Sequence, residues 1–557
     1  MPSWISRYKI AFLALGGYLL FLHGLGNNDL KAPDEPRFAL VAREMIQTGN
    51  YLFPHRNERA YPDKPPLFFW AIAAASTVTN GVNSLSARLP SAIAALVVLI
   101  LMARWATDGK WTSRKGIYVM LILASCAQIM QQAHNAQIDM LLCALVIAAC
   151  LLGYKKLQGE KASELGIGFL LGLAILAKGP VGYLVPAGSW AVYCLFSGKS
   201  SWKQYPWRSL LWGLIPPLIW IAGLTVQVWQ TNSWDYWNNL LFKQTVVRYA
   251  NPWHHHKPFY YFLEAQLSGF FPWILILLFA VPWKKSQRQA LDAKQRFAWA
   301  AYLFILVFFS LSSGKRNLYI LALYPFSAYL VAEYLLGLTR AGWGLKAVVS
   351  FGGLILAVVG ALAIAVGTGL FNPEVIQELN KPLPRIGIVI PSLFIMAGGI
   401  WALTFAFRWK EKQIPLGFCL SIFSLSILLY QILEPWHNER RSARSFSEQV
   451  TEILQTGDTG RTLAMVDFRS AYRFYGSQHI VELAPLEPTG EDPKLIGLPQ
   501  PKDFWAEHPN GVIIIRKEHL DEFVEAGQVV TNFQVLLDKM VSDEHVLLIA
   551  QGSPRTS

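Results

Sequence analysis

Asp34 and Glu35 stand side by side in Lys31-Ala32-Pro33-Asp34-Glu35-Pro36-Arg37-Phe38, a polar stretch just after the first apolar run of the chain. The same loop continues to Tyr61-Pro62-Asp63-Lys64-Pro65-Pro66. Carboxylates and cations gathered in one long loop between apolar segments point to chemistry at a membrane surface rather than passive anchoring. Further costly groups recur near the ends of apolar runs: Asp139 after His134, Asn135 and Gln137; Lys178 in Ala177-Lys178-Gly179-Pro180; Glu264 with Gln266; and Lys315-Arg316. Ionisable groups are expensive in lipid, so each of these is a functional candidate.

The elements that must position them are membrane spans. Hydrophobic residues make up 53% of the 557 and charged residues only 15%, with a mean hydropathy of +0.32. A helix needs about 20 apolar residues to cross about 30 Å of hydrocarbon. Thirteen runs qualify, near 8–26, 84–104, 116–131, 136–153, 164–180, 181–197, 207–229, 261–283, 296–312, 316–337, 346–370, 386–407 and 414–433. The first follows Arg7 and Lys9 and lacks a small-residue cleavage site, so it reads as a signal anchor. With the N-terminus in the cytoplasm, the short inner loops carry Arg104, Lys110 and Arg114; Lys155, Lys156 and Lys161; Lys203 and Arg208; Lys284, Lys285 and Arg288; and Arg408 with Lys412. That is the positive-inside pattern. The formal charge of +13 is thus explained by topology, with no nucleic-acid partner implied. In this orientation the candidate groups fall near one, outer, depth and describe an outward-facing polar cavity.

The outer side then holds loops 27–83 and 230–260 and everything after 433. The tail, 434–557, changes character: short β-prone runs from Thr462, His479, Gly511 and His545 alternate with helix-compatible segments such as 517–532. It reads as a small extracytoplasmic α/β domain. All five cysteines (Cys126, Cys143, Cys150, Cys194, Cys419) lie in the expected spans, so neither a disulfide framework nor a cysteine metal site is expected. A phosphate loop is missing, since Gly198-Lys199-Ser200 lacks the upstream glycine, and so is an Asp-x-Asp pair for a nucleotide sugar.

Plainer readings stand beside the chemical ones. Asp34 precedes a helical pattern (Phe38, Val41, Ala42, Met45) and can serve as an N-cap, as can Asp63 ahead of Lys64-Pro65-Pro66. Lys178 and Lys315 can snorkel to headgroups. His254-His255-His256 can be a solvated run, or one of its imidazoles can join a loop carboxylate on a divalent metal ion. Arg440, Arg441 and Arg444 can simply meet lipid phosphates.

Taken in order, the landmarks resemble the bacterial lipid A aminoarabinose transferases and, more distantly, the protein O-mannosyltransferases. They are Asp34-Glu35-Pro36-Arg37-Phe38, Arg43-Glu44-Met45, Gly49-Asn50, Tyr61-Pro62-Asp63-Lys64-Pro65-Pro66, Ile138-Asp139, Ala177-Lys178-Gly179, His255-His256-Lys257-Pro258-Phe259-Tyr260-Tyr261 and Ser313-Gly314-Lys315-Arg316-Asn317-Leu318-Tyr319. The chain departs from the usual pattern at Phe38, where Tyr is common, and at Asp63, where Glu is common. Where the family has Lys-Leu-Pro-Thr-Tyr, this chain has Lys315 to Tyr319. The resemblance implies an all-α, polytopic GT-C fold with an extracytoplasmic α/β tail, in the bacterial inner membrane. The donor would be a polyprenyl-phosphate sugar and the acceptor lipid A or another outer-leaflet molecule.

In such a transfer the anomeric C–O bond breaks and a phosphate monoester leaves, so its growing charge needs cations. Lys64, Lys315 and Arg316 are the candidates. Asp34 would act as general base toward a hydroxyl acceptor, or orient an acceptor that is already ionised. Asp139 would hold Arg37 or Lys64, or touch the sugar. Arg37, Tyr61, Asp63, Lys178 and His255 are candidate substrate contacts, and Tyr324 is a candidate cavity wall. A protein or polysaccharide O-glycosyltransferase of the mannosyltransferase type is the alternative within this chemistry. A lipid flippase or secondary transporter is the alternative outside it, disfavoured by the lack of a detectable internal repeat.

Overall fold

A computed structural model describes residues 11, 13–240, 257–312, 314–338, 340–371, 382–408, 413–456, 461–476, 478–486 and 498–552. Backbone that leaves water must satisfy its N–H and C=O groups internally, and the apolar runs do so as helices. Among the described residues seven helices are long and apolar enough to cross a membrane, or eight if one bent pair counts as a single span. The seven are Ser84–Ala106, Ile138–Leu157, Trp207–Thr231, Ala293–Leu311, Trp343–Thr368, Arg385–Phe407 and Ile414–Asn438. Shorter apolar helices occupy Leu13–Leu22, Leu67–Ser76 and Val181–Ser197. Two expected spans are interrupted. Residues 116–131 form Arg114–Ala124 and Ala127–Ala133, bent by 72°. Residues 261–283 form Tyr261–Gly269 and Trp273–Ala280, parted at Pro272, whose ring nitrogen has no proton to give.

The chain divides into two compact units, the first comprising Met1–Leu25, Pro62–Ala71 and Arg88–Trp436 and the second Gly26–Tyr61, Ile72–Ala87 and His437–Ser557. In the first, the two interrupted helices meet at their breaks. Cys126 Sγ donates to the Gly269 carbonyl at 3.2 Å, and Trp273 Nε1 donates to Ser125 Oγ at 3.0 Å. Ser125 Oγ in turn donates to the Leu121 carbonyl at 2.7 Å. Elsewhere helices touch through glycine. A Cβ placed on Gly399 would lie 2.5 Å from the Ala357 nitrogen and 2.6 Å from the Gly353 oxygen, and one on Gly398 2.5 Å from the Gly417 oxygen. Small residues let backbones approach this closely where the hydrophobic effect gives no drive between helices.

The second unit contains the C-terminal domain. Strands β1 (His55–Arg56) and β2 (Arg59–Ala60) form a small antiparallel hairpin in the first loop. The main sheet has five strands in the order β4-β3-β5-β7-β6: β3 Leu463–Val466, β4 Ile480–Leu483, β5 Val512–Arg516, β6 Gln534–Val541 and β7 Glu544–Ala550. Strands β3, β4 and β5 are parallel, and β6 and β7 form an antiparallel hairpin, with a register irregularity between Val535 and Leu537 of edge strand β6. Alternation sends Leu463, Met465, Val512, Ile514, Val546 and Leu548 to one face, under Phe446 and Val450 of the helix Arg444–Thr456. It sends Ala464, Val466, Ile513, Ile515, Leu547 and Ile549 to the other, under Phe504, Trp505, Leu520 and Phe523. A sheet covered on both faces by helices reads as near-continuous apolar runs.

Beside this sheet Arg469 grips Glu544 with two bonds, of 2.6 and 3.2 Å, and Arg516 lies 3.5 Å from the same carboxylate. Burial alone would raise the Glu544 pKa, but hydrogen bonds and charge from Arg469, with Arg516 behind it, outweigh burial and hold it below 4.5. A carboxylate depressed by folding stabilises the fold above its unfolded pKa and loses that contribution as pH falls through its folded value. The C-terminal domain is therefore expected to lose protection against amide exchange more steeply below about pH 4.5 than a Glu544→Gln variant does. In the helical unit, Gly399→Val should cost at least about 2 kcal/mol, because backbone atoms cannot yield to the new carbons. A thermal unfolding midpoint equal to that of the parent would contradict this.

Candidate active site

Asp34 opens the helix Asp34–Thr48, which ends where Gly49 takes a left-handed conformation (φ 69°). The expected apolar face forms, with Phe38, Val41, Ala42 and Met45 all buried. Asp34 is not the N-cap, because that position belongs to Pro33, which has no side chain to cap with. The neighbouring Glu35 carboxylate instead receives the Lys31 N–H at 2.7 Å. Asp34 is itself buried, and its carboxylate pairs with Arg37 one turn along. The Arg37 guanidinium lies 5.3 Å from the centre of the Phe38 ring. Tyr61 closes this segment, buried, its N–H on the Pro54 carbonyl at 2.8 Å. Asp34, Arg37 and Tyr61 all belong to the second unit.

The helical unit carries the other candidates. Asp139 lies in the first turn of Ile138–Leu157 and Lys178 in the last turn of Glu164–Lys178. Their side chains form an ion pair in which Asp139 is buried and Lys178 half-buried, and the Lys178 Nζ sits 4.6 Å from the centre of the Tyr319 ring. Asp139, expected to hold Arg37 or Lys64 or to touch the sugar, pairs with Lys178, supplied by the following helix. Neither lysine nor aspartate is left as a lone charge. Asp139 also lines a small, mostly apolar cavity of about 20 Å³ together with Leu142, Val146, Val185, Phe309 and Leu318.

Lys315 is buried and donates to two backbone carbonyls, that of Lys257 at 3.0 Å and that of Ser312. It is thus fixed by main chain rather than snorkelling. Arg316, Asp63 and Lys64 are half-buried, and Asp63 lies in a turn ahead of the helix Leu67–Ser76 rather than at its cap. Tyr324, expected to wall a cavity, is fully enclosed. Its hydroxyl reaches toward the Ala265 carbonyl at 3.4 Å and its ring leans on Phe270. Gln266 is buried with its Oε1 accepting from Tyr302 at 2.7 Å, whereas Glu264 is exposed. His255 and its two neighbouring histidines lie outside the described residues. Among the described residues no three His, Cys, Asp or Glu side chains gather as a metal site.

Four arrangements had no local signature in the sequence. His134 stacks flat on Tyr430, with centroids 4.3 Å apart, across nearly three hundred residues of chain. Arg444, read as a lipid-phosphate contact, pairs with Asp29 at 2.8 Å, and Arg440 pairs with Asp543 at 3.0 Å. Asn57 is fully buried and bonded to strand β4. Only a basic or polar residue at an unexplained place hinted at any of them.

Removing Lys178 leaves the buried Asp139 carboxylate uncompensated, at a cost approaching the about 3–5 kcal/mol of a fully buried pair, whereas replacing both partners can be nearly neutral. Lys178→Met should therefore lower the unfolding midpoint strongly and Lys178→Met with Asp139→Leu much less. Additive losses in that cycle would show that the pair does not couple the two helices.

Comparison with known proteins bears on this architecture. A family model described as dolichyl-phosphate-mannose-protein mannosyltransferase matches residues 63–229. An undecaprenyl phosphate-α-4-amino-4-deoxy-L-arabinose arabinosyl transferase of Sodalis glossinidius is 28% identical over 422 residues, covering 72% of this chain and 74% of that protein. The corresponding transferase of Shewanella sediminis is 26% identical over 455 residues, covering 78% and 79%. The crystal structure of ArnT from Cupriavidus metallidurans bound to undecaprenyl phosphate superposes with a TM-score of 0.74 at 18% identity, covering 99% of this chain and 100% of that one. At that identity the superposition speaks for the fold, and the curated relatives for the kind of enzyme. The matching proteins are transferases, which sets the flippase and transporter readings aside. The chain thus shares the fold of that ArnT and is similar, over about three quarters of its length, to curated arabinosyl transferases named for an undecaprenyl phosphate sugar.

Proposed function

We propose that this protein moves a sugar, 4-amino-4-deoxy-arabinose, from undecaprenyl phosphate to lipid A. The observation that carries the reading is the extent of likeness to transferases named for that donor, over about three quarters of both chains. The helices through residue 433 would form the membrane domain, with thirteen crossings and a cytoplasmic N-terminus, and residues 434–557 would stand in the periplasm. The polyprenyl tail would stay in hydrocarbon.

On this reading the bond between the anomeric carbon and the phosphate oxygen breaks, and the electron pair leaves with undecaprenyl phosphate. Lys64 and Arg316, with Lys315 behind them, would meet the growing charge of that monoester. Such preorganised cations are among the largest contributors to transfer rates. A lipid A phosphate is ionised at neutral pH and needs no base, so Asp34 would orient it or offset positive charge on the sugar ring. The Arg37 side chain beside Asp34 would hold that carboxylate in one rotamer. Asp139 and Lys178, each satisfied by the other, would shape the site as a neutral pair. Attack opposite the leaving phosphate would invert the anomeric centre.

A second reading is favoured by the mannosyltransferase family model over residues 63–229, namely transfer to a protein or polysaccharide hydroxyl. There Asp34 would have to take the hydroxyl proton. The mass of lipid A from cells expressing the parent, beside cells expressing Asp34→Asn, separates the two. The fraction of lipid A carrying the added mass is expected to fall by about 100-fold from the parent to Asp34→Asn, the scale of losing a group that positions the reactants. Unchanged lipid A with folded parent protein would remove lipid A as the acceptor.

A further inference from the structure

Within the second unit the first loop is fastened to the C-terminal domain at points that bracket Asp34. Ahead of it, Asp29 donates its N–H to Asn438 Oδ1 at 2.8 Å and receives Arg444 at 2.8 Å and Asn438 Nδ2 at 3.0 Å. The Leu30 N–H reaches the Tyr475 hydroxyl at 2.6 Å. Behind it, Arg43 donates to the Phe474 and Arg473 carbonyls at 2.7 and 2.9 Å, with its guanidinium 4.8 Å from the Phe474 ring centre. Burial and the nearby Arg473 pull Arg43 down to about 10, against an opposing pull from Glu44. It stays charged at neutral pH, and its hydrogen bonds are charge-assisted.

The fastening ends in a buried relay. Glu44, on the same helix as Asp34, accepts the N–H groups of Asn57 at 2.7 Å and Glu58 at 3.1 Å. Asn57 is fully buried and held at φ 56°, a left-handed conformation that Asn tolerates better than most residues. Its Nδ2 donates to the Ile480 carbonyl at 2.7 Å and to Glu482 Oε1 at 3.1 Å. Ile480 and Glu482 lie on β4, an edge strand, so one side chain links the loop to the rim of the sheet. A buried polar group left without its partner costs about 1–3 kcal/mol, so the relay holds only as a whole.

Its position along the helix gives it leverage. At a rise of 1.5 Å per residue, Glu44 is about 15 Å from Asp34, so a tilt of about 5° at the Glu44 end moves Asp34 by about 1 Å. A displacement of that size at a reacting group costs about 100-fold in rate. A surface loop that merely needed covering would not require a buried carboxylate, a buried amide and a half-buried guanidinium to cover it.

We propose that Arg43, Glu44 and Asn57 are positioning residues through which the C-terminal α/β domain sets the axis of the Asp34–Thr48 helix, and so the place of Asp34. The inference rests on the catalytic reading of Asp34. The test uses the full-length purified protein with undecaprenyl-phosphate aminoarabinose as donor and lipid A as acceptor, and amide exchange measured on the same samples. Asn57→Ala is expected to lower kcat by about 10- to 100-fold, the scale of a small misplacement, while donor KM moves less than about threefold. Exchange across residues 34–48 should accelerate while β3 and β5 keep their protection. Asn57→Asp alone should be worse, since it sets a carboxylate against Glu482 and the Ile480 carbonyl. Asn57→Asp with Glu482→Gln should recover part of the rate by reversing donor and acceptor. If Asn57→Ala does not fold, Arg43→Lys, which keeps the charge and one bond, supplies the same comparison.

Full kcat in a folded Asn57→Ala, or unaltered exchange across 34–48, would overturn the proposal. Asp34→Asn run alongside separates the two ideas. Parent-like transfer by Asp34→Asn would sink the catalytic reading, whereas its loss with normal transfer by Asn57→Ala would sink the positioning role alone. The exchange measurement needs no substrate and decides the structural half in either case.

Discussion

A peptide group removed from water must find its hydrogen bond inside the protein, and this one requirement shapes the helical unit. It makes regular helices the default and makes every interruption expensive. The two interruptions at Ser125–Cys126 and around Pro272 persist because each break faces the other. The thiol of Cys126 serves the Gly269 carbonyl, and the indole of Trp273 is received by Ser125. Broken backbone at such a depth is tolerated where protein, not lipid, surrounds it. The glycine contacts among Trp343–Thr368, Arg385–Phe407 and Ile414–Ser426 serve the other half of the problem, which is how helices cohere without a hydrophobic drive between them.

The same requirement sorts the charged residues. Asp139 and Lys178 come from successive apolar helices and neutralise each other; Lys315 leans on two carbonyls; Asp34 and Arg37 meet one turn apart. Each charge has a local partner in the protein. Charges paired in this way are held in place by the fold itself, the condition under which fixed charges act most strongly on a neighbouring group.

Much of this was legible in the residues. Apolar runs long enough for hydrocarbon became helices, and the spacing of Phe38, Val41, Ala42 and Met45 became the buried face of the helix that begins at Asp34. The tail's alternating strands built a sheet buried on both faces. The partners were not legible. Nothing near Asp139 announces Lys178, and nothing near Asn57 announces Ile480, since both pairings are settled by how distant segments pack. Local patterns likewise read 261–283 as one span, because a proline within an apolar run marks a break only where neighbouring helices make the break affordable. Tyr324 was misplaced for the same reason: helical spacing put it on a face, but not on which side of that face the core would lie.

The edges of the sheet in the C-terminal domain have a consequence of their own. On one side β4 is occupied by the Asn57 amide, and on the other β6 is irregular between Val535 and Leu537 and carries Lys539, whose ammonium is tied to Ser445. Irregular or charged edges are poor templates for a neighbour's strand. Copies of a membrane-embedded enzyme are confined to two dimensions, where collisions between like domains are frequent and similarly oriented. Edges dressed in this way disfavour the edge-to-edge pairing of sheets that such crowding would otherwise promote.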